Sequence, residues 1–142
     1  MTVEPSVIGS GHKILFQFNN AITSTGTVAS TDGSGFSIGS ASAAAVGNTI
    51  EVTLTGIADN KRVKVSLFNV NGALFNTSAS MGFLVGDVTN TRSVASDDIA
   101  AIKGHAGEAA SAPNYLYDLN LSGAITAADI LAAKGRVGFA VP

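Results

Sequence analysis

The 142-residue sequence predicts two domains, an all-β sandwich over residues 1–85 and a small all-α domain of two loop–helix repeats over residues 86–142. Three observations lead to this prediction. Apolar and polar residues alternate in short runs through the first part, which is typical of strands. After Val85 the alternation gives way to Ala-rich stretches that end at glycine. The second part also repeats its own pattern with an offset of 31 residues.

The composition excludes several kinds of partner and site. Eight basic and ten acidic residues give a net charge of −2, whereas proteins that bind nucleic acid or anionic membranes usually carry a basic excess. No apolar run approaches the roughly 20 residues of a membrane-spanning helix. The absence of cysteine excludes disulfides and thiolate metal sites. Residues 1–5 lack the layout of a signal peptide, so we expect either a cytosolic protein or a signal upstream of this sequence.

Three runs in the first part, 13–18, 49–55 and 62–68, alternate as strands do. Asn71-Gly72 predicts a two-residue hairpin turn. Six or seven short strands at this spacing favour an antiparallel sandwich of the immunoglobulin-like kind. The residues expected on buried strand faces are Ile50, Val52 and Leu54 in the second run and Val63, Val65 and Leu67 in the third.

The phenylalanines of the first part bear on a possible sugar-binding role. Sugar sites usually stack their ligand on exposed Trp or Tyr, and residues 1–85 contain neither. Phenylalanine at strand spacing is more often part of a core. We therefore expect a core role for these rings and treat carbohydrate binding as a minor alternative. The rings are Phe16, Phe18, Phe36, Phe68, Phe75 and Phe83.

Two short helices are predicted in the second part. Residues 98–103 precede Gly104 and residues 129–134 precede Gly135, and each run ends on a lysine, which interacts favourably with a helix C-terminus. No Pro/Ser-rich linker separates the two parts. We therefore expect them to pack together and not to move freely.

The second copy of the repeat has the spacing of a calcium-binding loop. Oxygen-bearing side chains occupy positions 1, 3, 5 and 12 of a twelve-residue loop, with Gly123 at the sharp turn. This is the EF-hand loop pattern with Asp in place of the terminal Glu. The expected ligands are the side chains of Asp118, Asn120, Ser122 and Asp129 and the backbone carbonyl of Ala124. The alternative is a polar turn followed by a helix cap, in which Thr126 and Asp129 form a capping box.

The first copy has the same spacing but weaker donors, because threonines replace the usual Asn or Asp at positions 3 and 5. Arg92 stands at the turn position and requires either a left-handed backbone there or a different turn altogether. The expected ligands are the side chains of Asp87, Thr89, Thr91 and Asp98 and the carbonyl of Ser93. The alternative is a turn without calcium. In both copies an apolar residue, Val94 or Ile125, is expected to anchor the loop in the core.

This duplicated loop–helix pattern resembles the dockerin domain over about residues 86–138. The resemblance implies calcium-dependent binding to a cohesin domain, in the C-terminal part of a larger secreted or cell-surface protein, with two possible orientations of the partner. It also implies that positions 10 and 11 of each loop and a lysine further along each helix meet the partner. The matching residues are Ser96, Asp97, Lys103, Ala127, Ala128 and Lys134.

We therefore expect a calcium-dependent protein–protein attachment module with two Ca²⁺ ions, a cohesin-type partner, no nucleic-acid partner and no membrane insertion. An enzyme is not expected, because His12 and His105 have no spacing to a nucleophile or to a metal triad. Two alternatives remain open. One is a calcium-stabilised structural or adhesin module without a cohesin partner, and the other is a carbohydrate-binding module.

Overall fold

Seven strands and two α-helices make up the computed structural model, which describes all 142 residues. The strands are β1 (Thr2–Glu4), β2 (His12–Gln17), β3 (Thr27–Thr31), β4 (Ser40–Val46), β5 (Thr49–Thr55), β6 (Lys61–Phe68) and β7 (Asn76–Phe83). The helices are α1 (Ser96–Gly104) and α2 (Ala127–Lys134), and 3-10 turns cover Val70–Gly72 and Tyr115–Tyr117. Neither helix has the length and apolar character needed to cross a bilayer.

The strands form two sheets, one in the order β1-β7-β6-β3 and the other in the order β2-β5-β4. β5 runs antiparallel to both its neighbours, whereas β1 pairs with β7 in parallel. The three strand runs predicted from the sequence are confirmed as β2, β5 and β6. Their predicted inward residues are completely buried, because alternate side chains of a strand lie on one face. These residues are Ile50, Val52, Leu54, Val63, Val65 and Leu67.

The predicted two-residue hairpin at Asn71-Gly72 is wrong, since β6 and β7 are joined by the longer segment 69–75. Asn71 does have a left-handed backbone, with a φ of 57°. Its side chain is used elsewhere, however, because Oδ1 accepts hydrogen bonds from the backbone N–H of Thr23 and of Ser24 at 2.7 and 3.1 Å. Hydrogen bonds across about 50 residues of sequence thus decide the course of this connection.

The core role expected for the six phenylalanines is wrong for three of them, since Phe36, Phe68 and Phe75 are exposed, whereas Phe16 and Phe18 are half-buried. Phe83 is buried, but Phe36 is 73% exposed and Phe75 is 51% exposed. Valine, isoleucine and leucine fill the inward positions of β5 and β6. Phe68, which follows the buried Leu67 in β6, therefore lies on the outward face.

The expected fold class, an all-β immunoglobulin-like sandwich followed by a separate all-α dockerin, is wrong. The chain is mostly β, with 35% strand and 16% helix, and it has only two helices. A short helical segment of this kind cannot bury enough apolar surface by itself. Its core instead includes side chains from the N-terminal strand.

The chain forms two compact units. One comprises Met1–Val7, Ala58–Arg62 and Met81–Pro142, and the other comprises Ile8–Ile57 and Val63–Ser80. The first unit has two buried clusters. One consists of Val85, Ile102, Leu119, Ile125 and Ala133, with Val7 packed against it, and the other consists of Val3, Leu84, Val94 and Val141. The two predicted loop anchors are thus confirmed as core residues.

Candidate metal centre

The loop that precedes α2 wraps its backbone around two buried carboxylates. Asp118 accepts hydrogen bonds from the N–H groups of Ser122 and Gly123 at 3.0 and 2.7 Å. Asp129, which is completely buried in the first turn of α2, accepts the N–H of Asn120 at 3.3 Å with Oδ1 and the N–H of Thr126 at 2.8 Å with Oδ2. Residues 1 and 12 of the loop therefore bind its backbone from both ends.

The neutral oxygens predicted as ligands in this loop lie beside these carboxylates. The hydroxyl of Ser122 is 3.0 Å from the carbonyl oxygen of Ala124 and 3.4 Å from a carboxylate oxygen of Asp118. The amide oxygen of Asn120 accepts the N–H of Ser122 at 3.0 Å. Oxygens at such separations can share one ion at calcium–oxygen distances of about 2.4 Å. The structure brings all five predicted donors of this loop into one turn.

The loop that precedes α1 repeats this arrangement with different side chains. Asp87 accepts the N–H groups of Thr91 and Arg92 at 2.9 and 2.8 Å. Asp98 accepts both the N–H and the hydroxyl of Thr89 at 3.0 and 2.8 Å. The hydroxyl of Thr91 is 3.1 Å from the carbonyl oxygen of Ser93. The threonines therefore occupy the positions of Asn120 and Ser122, as the spacing predicted.

The backbones of the two loops match at the residues with positive φ. Asn90 and Leu121, at position 4, both have a φ of 58°. At position 6, Arg92 has a φ of 71° and Gly123 a φ of 89°. Of the two alternatives for Arg92, the left-handed backbone is the one observed, although a side chain at this φ costs free energy. The two chemically different loops therefore have left-handed backbones at the same two positions.

Each loop pairs with the segment that follows the helix of the other copy. Val94 in the first loop donates its N–H to the carbonyl of Phe139 and accepts the N–H of Gly138, both at 2.9 Å. Ile125 in the second loop makes the corresponding bonds to Glu108 and Gly107 at 2.9 and 2.8 Å. The two copies are therefore interlocked, and neither loop is formed by its own copy alone.

The charge of the loops is not balanced by the protein. All four carboxylates are almost fully buried, with exposures of 1% for Asp87, 0% for Asp98, 4% for Asp118 and 0% for Asp129. None forms an ion pair with a lysine or arginine; the arginine in this unit that does form one, Arg136, bonds to Asp59 at 2.7 Å. A buried carboxylate is costly unless a positive charge accompanies it. The loops therefore have the electrostatic character of cation sites.

The pKa of Asp87 reflects the same imbalance. Burial raises the pKa of its carboxyl above the ordinary range, and the nearby negative charge of Asp98 raises it further, against the hydrogen bonds from Thr91 and Arg92 that lower it. The positive charge of a divalent cation would act against both of the causes that raise this pKa.

The donor set fits a hard cation. Nowhere in the chain do three or more His, Cys, Asp or Glu side chains come together. Each loop instead offers two carboxylates together with hydroxyl, amide and carbonyl oxygens, and calcium accepts such mixed oxygen sets. The capping box of the alternative interpretation is also present, since Thr126 and Asp129 form it. A cap accounts for one oxygen of Asp129 but not for the buried Asp118.

The residues implied to meet a partner are all exposed, on the first and last turns of the helices or next to them. Their chemistry differs between the copies. Ser96 and Asp97 on α1 are polar, whereas Ala127 and Ala128 on α2 are apolar and are followed by Leu131, which is 70% exposed. Lys103 and Lys134 occupy equivalent positions in the last turns. A partner that meets α1 therefore meets a different surface from one that meets α2.

Asn114, which was not predicted as a functional residue, holds the connection between the two copies. Its side chain is buried, and it donates to Glu108 and to the carbonyl of Ala109 while it accepts the N–H of Ser111 at 2.7 Å. Glu108 also lies 3.0 Å from His105, whose ring stacks on Tyr117 with centroids 4.2 Å apart. A turn-forming Asn three residues after Ser was the only signal in the sequence.

Replacing Arg92 by glycine is expected to stabilise the first loop, because glycine adopts a φ of 71° without the clash that a side chain makes. Relief of about 1–2 kcal/mol of backbone strain is partly offset by about 0.5–1 kcal/mol for the extra freedom of glycine in the unfolded chain, so the expected net gain in the free energy of unfolding is about 0.5–1 kcal/mol. Gly123→Ala, at the equivalent position of the second loop, is expected to lose at least as much. Thermal melting of both variants in calcium measures the difference, and a loss of stability in Arg92→Gly would contradict the strain at this turn.

Comparison with known proteins adds no assignment. No protein-family model matches the chain, and no curated protein matches it. The duplicated loops, their buried carboxylates and the exposed helix surfaces are therefore the observations from which a function can be argued.

Proposed function

We propose that the two loops bind calcium and that the calcium-loaded unit attaches the chain to a partner protein of the cohesin type. One observation carries the calcium part: each loop buries two carboxylates without a cationic side chain, and the same set of hydrogen bonds recurs in both loops. A capped turn needs one acidic residue near the helix N-terminus. A second buried acid, at position 1, is not needed for a capped turn, whereas a bound ion would use the acids at both positions.

Calcium is the divalent ion that these donors favour. The donors are all oxygens, which excludes the nitrogen and sulfur sets that zinc and copper prefer. Magnesium demands near-ideal octahedral geometry and dehydrates reluctantly, whereas calcium accepts irregular sets of six to eight oxygens. Two carboxylates in each loop is a low charge count, so we expect dissociation constants of about 10⁻⁶ to 10⁻³ M. The weak end of this range is that of extracellular calcium modules, and a secreted or cell-surface location is therefore part of the proposal.

The attachment part of the proposal depends on the positions of α1 and α2. Calcium bound by Asp98 and Asp129 would hold the first turns of α1 and α2, since both acids lie in those turns. The exposed residues that the dockerin resemblance implies for partner binding lie on the same two helices. Binding of the ion would thereby set the positions of both docking surfaces. Catalysis has no part in this proposal, and the expectation that the chain is not an enzyme stays a prediction.

Calorimetric titration with calcium, together with melting curves in calcium and in excess chelator, tests the calcium part. Two binding events and a clear loss of stability in chelator are expected. A single event would restrict the proposal to the second loop. If neither calcium binding nor a chelator effect occurs, the capped-turn interpretation replaces it.

Binding to a panel of immobilised cohesin domains, in calcium and in chelator, tests the attachment part. Calcium-dependent capture by at least one cohesin is expected. Leu131→Lys on α2, and Ala100→Lys at the equivalent exposed position of α1, then report which helix surface the partner meets. If calcium binds but no cohesin does, the chain is a calcium-stabilised structural module.

The stabilisation by calcium is expected to grow as the pH rises from about 4 towards neutrality. The raised pKa of Asp87 means that the folded protein without calcium binds a proton there more readily than the unfolded chain does. Protonation of Asp87 therefore stabilises the folded protein in full at pH values below the pKa of Asp87 in the unfolded chain. This stabilisation is lost as the pH rises through the pKa of Asp87 in the folded protein. Bound calcium displaces that proton and compensates for the loss.

The measured quantity is the difference between melting temperatures in calcium and in chelator at each pH. The pKa of Glu108 is lowered by hydrogen bonds from Asn114 and His105, but this group acts equally under both conditions and cancels in the difference. Asp87→Asn is expected to reduce the pH dependence. An unchanged pH dependence in that variant would contradict the role given to Asp87.

A further inference from the structure

A groove in the unit of Ile8–Ile57 and Val63–Ser80 has no role in calcium binding. It is an open groove with a volume of about 360 Å³, and it lies between segment 18–22 and segment 70–75. This volume lies in the range of about 300–1,000 Å³ found for small-molecule sites. The lining residues are Phe18, Asn19, Asn20, Ile22, Val70, Asn71, Ala73 and Phe75.

Two aromatic rings form the apolar part of the groove. Phe18 and Phe75 meet edge to face, with centroids 6.3 Å apart and planes at 75°. Phe75 is half exposed, so part of the ring is open to a ligand. Edge-to-face contact with Phe18 favours this orientation of the ring. The apolar face of a sugar ring can stack on such an exposed aromatic surface.

The polar part of the groove consists of amides. Asn19 and Asn20 are exposed at its mouth, and each amide offers two N–H donors and one oxygen acceptor. This combination matches vicinal hydroxyl groups, which donate and accept at neighbouring positions. None of the lining residues carries a charge. The lining therefore favours a neutral ligand with several hydroxyl groups over an ionic one.

Hydrogen bonds hold both sides of the groove in place without a ligand. The side chain of Asn71 donates to the carbonyl of Ala21 at 3.0 Å and accepts the N–H of Thr23 at 2.7 Å. The backbone of Phe18 is bound on both sides by Asn48, at 2.9 Å each. A site that is formed in advance loses less conformational entropy when a ligand binds.

From the aromatic pair, the amides and the absence of charge we propose that this groove binds a neutral saccharide. The sugar ring stacks on Phe75, and Asn19 and Asn20 bond to its hydroxyl groups. The site is independent of the calcium loops, because every lining residue lies in the other compact unit. The two proposals can therefore fail separately.

Titration of the isotopically labelled protein with neutral hexasaccharides, followed by NMR, tests the proposal. A suitable panel contains cello-, xylo-, manno-, malto- and chitohexaose. Saturable shifts of the amide signals of segments 18–22 and 70–75 are expected for at least one of these sugars. Phe75→Ala is expected to weaken that binding about tenfold or more. Leu74→Ala, at a neighbour that is 95% exposed and does not line the groove, is expected to leave the affinity unchanged.

Asn19→Ala combined with Asn20→Ala keeps the aromatic pair and removes the exposed amides, which separates loss of recognition from loss of fold. Weaker sugar binding with an unchanged melting temperature supports the proposal. Several outcomes overturn it. They are no shifts with any of the sugars, equal affinities of Phe75→Ala and Leu74→Ala, tighter binding of an acidic oligosaccharide, or shifts of the same signals by an aromatic peptide but by no sugar.

Discussion

Asp129→Ala is expected to remove one of the two calcium-binding events. It is also expected to reduce stability more than any other single substitution in the two loops. The side chain is completely buried, and it bonds to the backbone of Asn120 and of Thr126. Alanine removes a proposed calcium ligand, the capping box of α2 and the hydrogen bonds that close the loop. All three losses fall on the same turn.

The expected magnitude follows from two contributions. A bound ion stabilises the folded state by about 2.7 kcal/mol when its concentration is 100 times the dissociation constant. Loss of the helix cap, together with the hydrogen bonds that close the loop, costs about 1 kcal/mol more. In calcium, the free energy of unfolding is therefore expected to fall by about 3–4 kcal/mol. In chelator no ion is bound, so the variant and the parent protein are expected to differ in their free energy of unfolding only by the contribution of the cap and the loop hydrogen bonds.

Calorimetry and chemical denaturation in calcium and in chelator measure both effects. Asp97→Ala is the matched control, because Asp97 is an exposed acid in the first turn of α1 that lies outside positions 1, 3, 5 and 12. The control is expected to keep both binding events. Two intact binding events in Asp129→Ala would contradict the assignment of this acid as a ligand.

Removal of residues 138–142 is expected to weaken calcium binding at the first loop, although these residues lie some 40 positions further along the chain. The deleted segment supplies the backbone partners of Val94 and of Arg92, and Val141 belongs to the cluster that includes Leu84. Three backbone hydrogen bonds contribute about 1 kcal/mol each, and burial of one valine contributes about 1.5–3 kcal/mol. A loss of about 4–6 kcal/mol is therefore expected in the unit that contains the loops.

Titration of the truncated protein with calcium shows which loop is affected. The affinity of the second loop is expected to change less, because its own partners, Gly107 and Glu108, are still present. Removal of Pro142 alone, an exposed residue, is the control and is expected to change neither site. Equal weakening of both loops would mean that the truncation acts through general loss of the fold and not through the interlocked pairing.

The loops and strands were predictable because their signals are local. Periodic burial in β5 and β6 is a property of one strand at a time, and alternation of residue types reports it directly. The spacing that begins at Asp87 and at Asp118 likewise places donors within a single turn. The left-handed backbone at Arg92 was one of the two alternatives that followed from its alignment with Gly123 across the repeat.

Three other features depend on residues far apart in the sequence, and there the predictions were wrong. The exposure of Phe75 depends on which side chains already fill the core. The path around Asn71 depends on bonds to Thr23 and Ser24. The expected independent helical domain was wrong because its core requires Val3, which lies beside Leu84, Val94 and Val141. Patterns within a segment contain no information about such partners.

The sequence by itself determined the chemistry of this protein: which oxygens recur, at what spacing, and which strand faces are apolar. These properties depend on residues that are neighbours along the chain. Hydrophobic periodicity and turn residues therefore reveal them within a few positions of sequence. The tertiary structure alone decided that Gly138 and Phe139 hold the first loop, that Gly107 and Glu108 hold the second, and that two phenylalanines open onto a groove. Such contacts form only when chain folding has brought distant segments together and the buried positions have been filled.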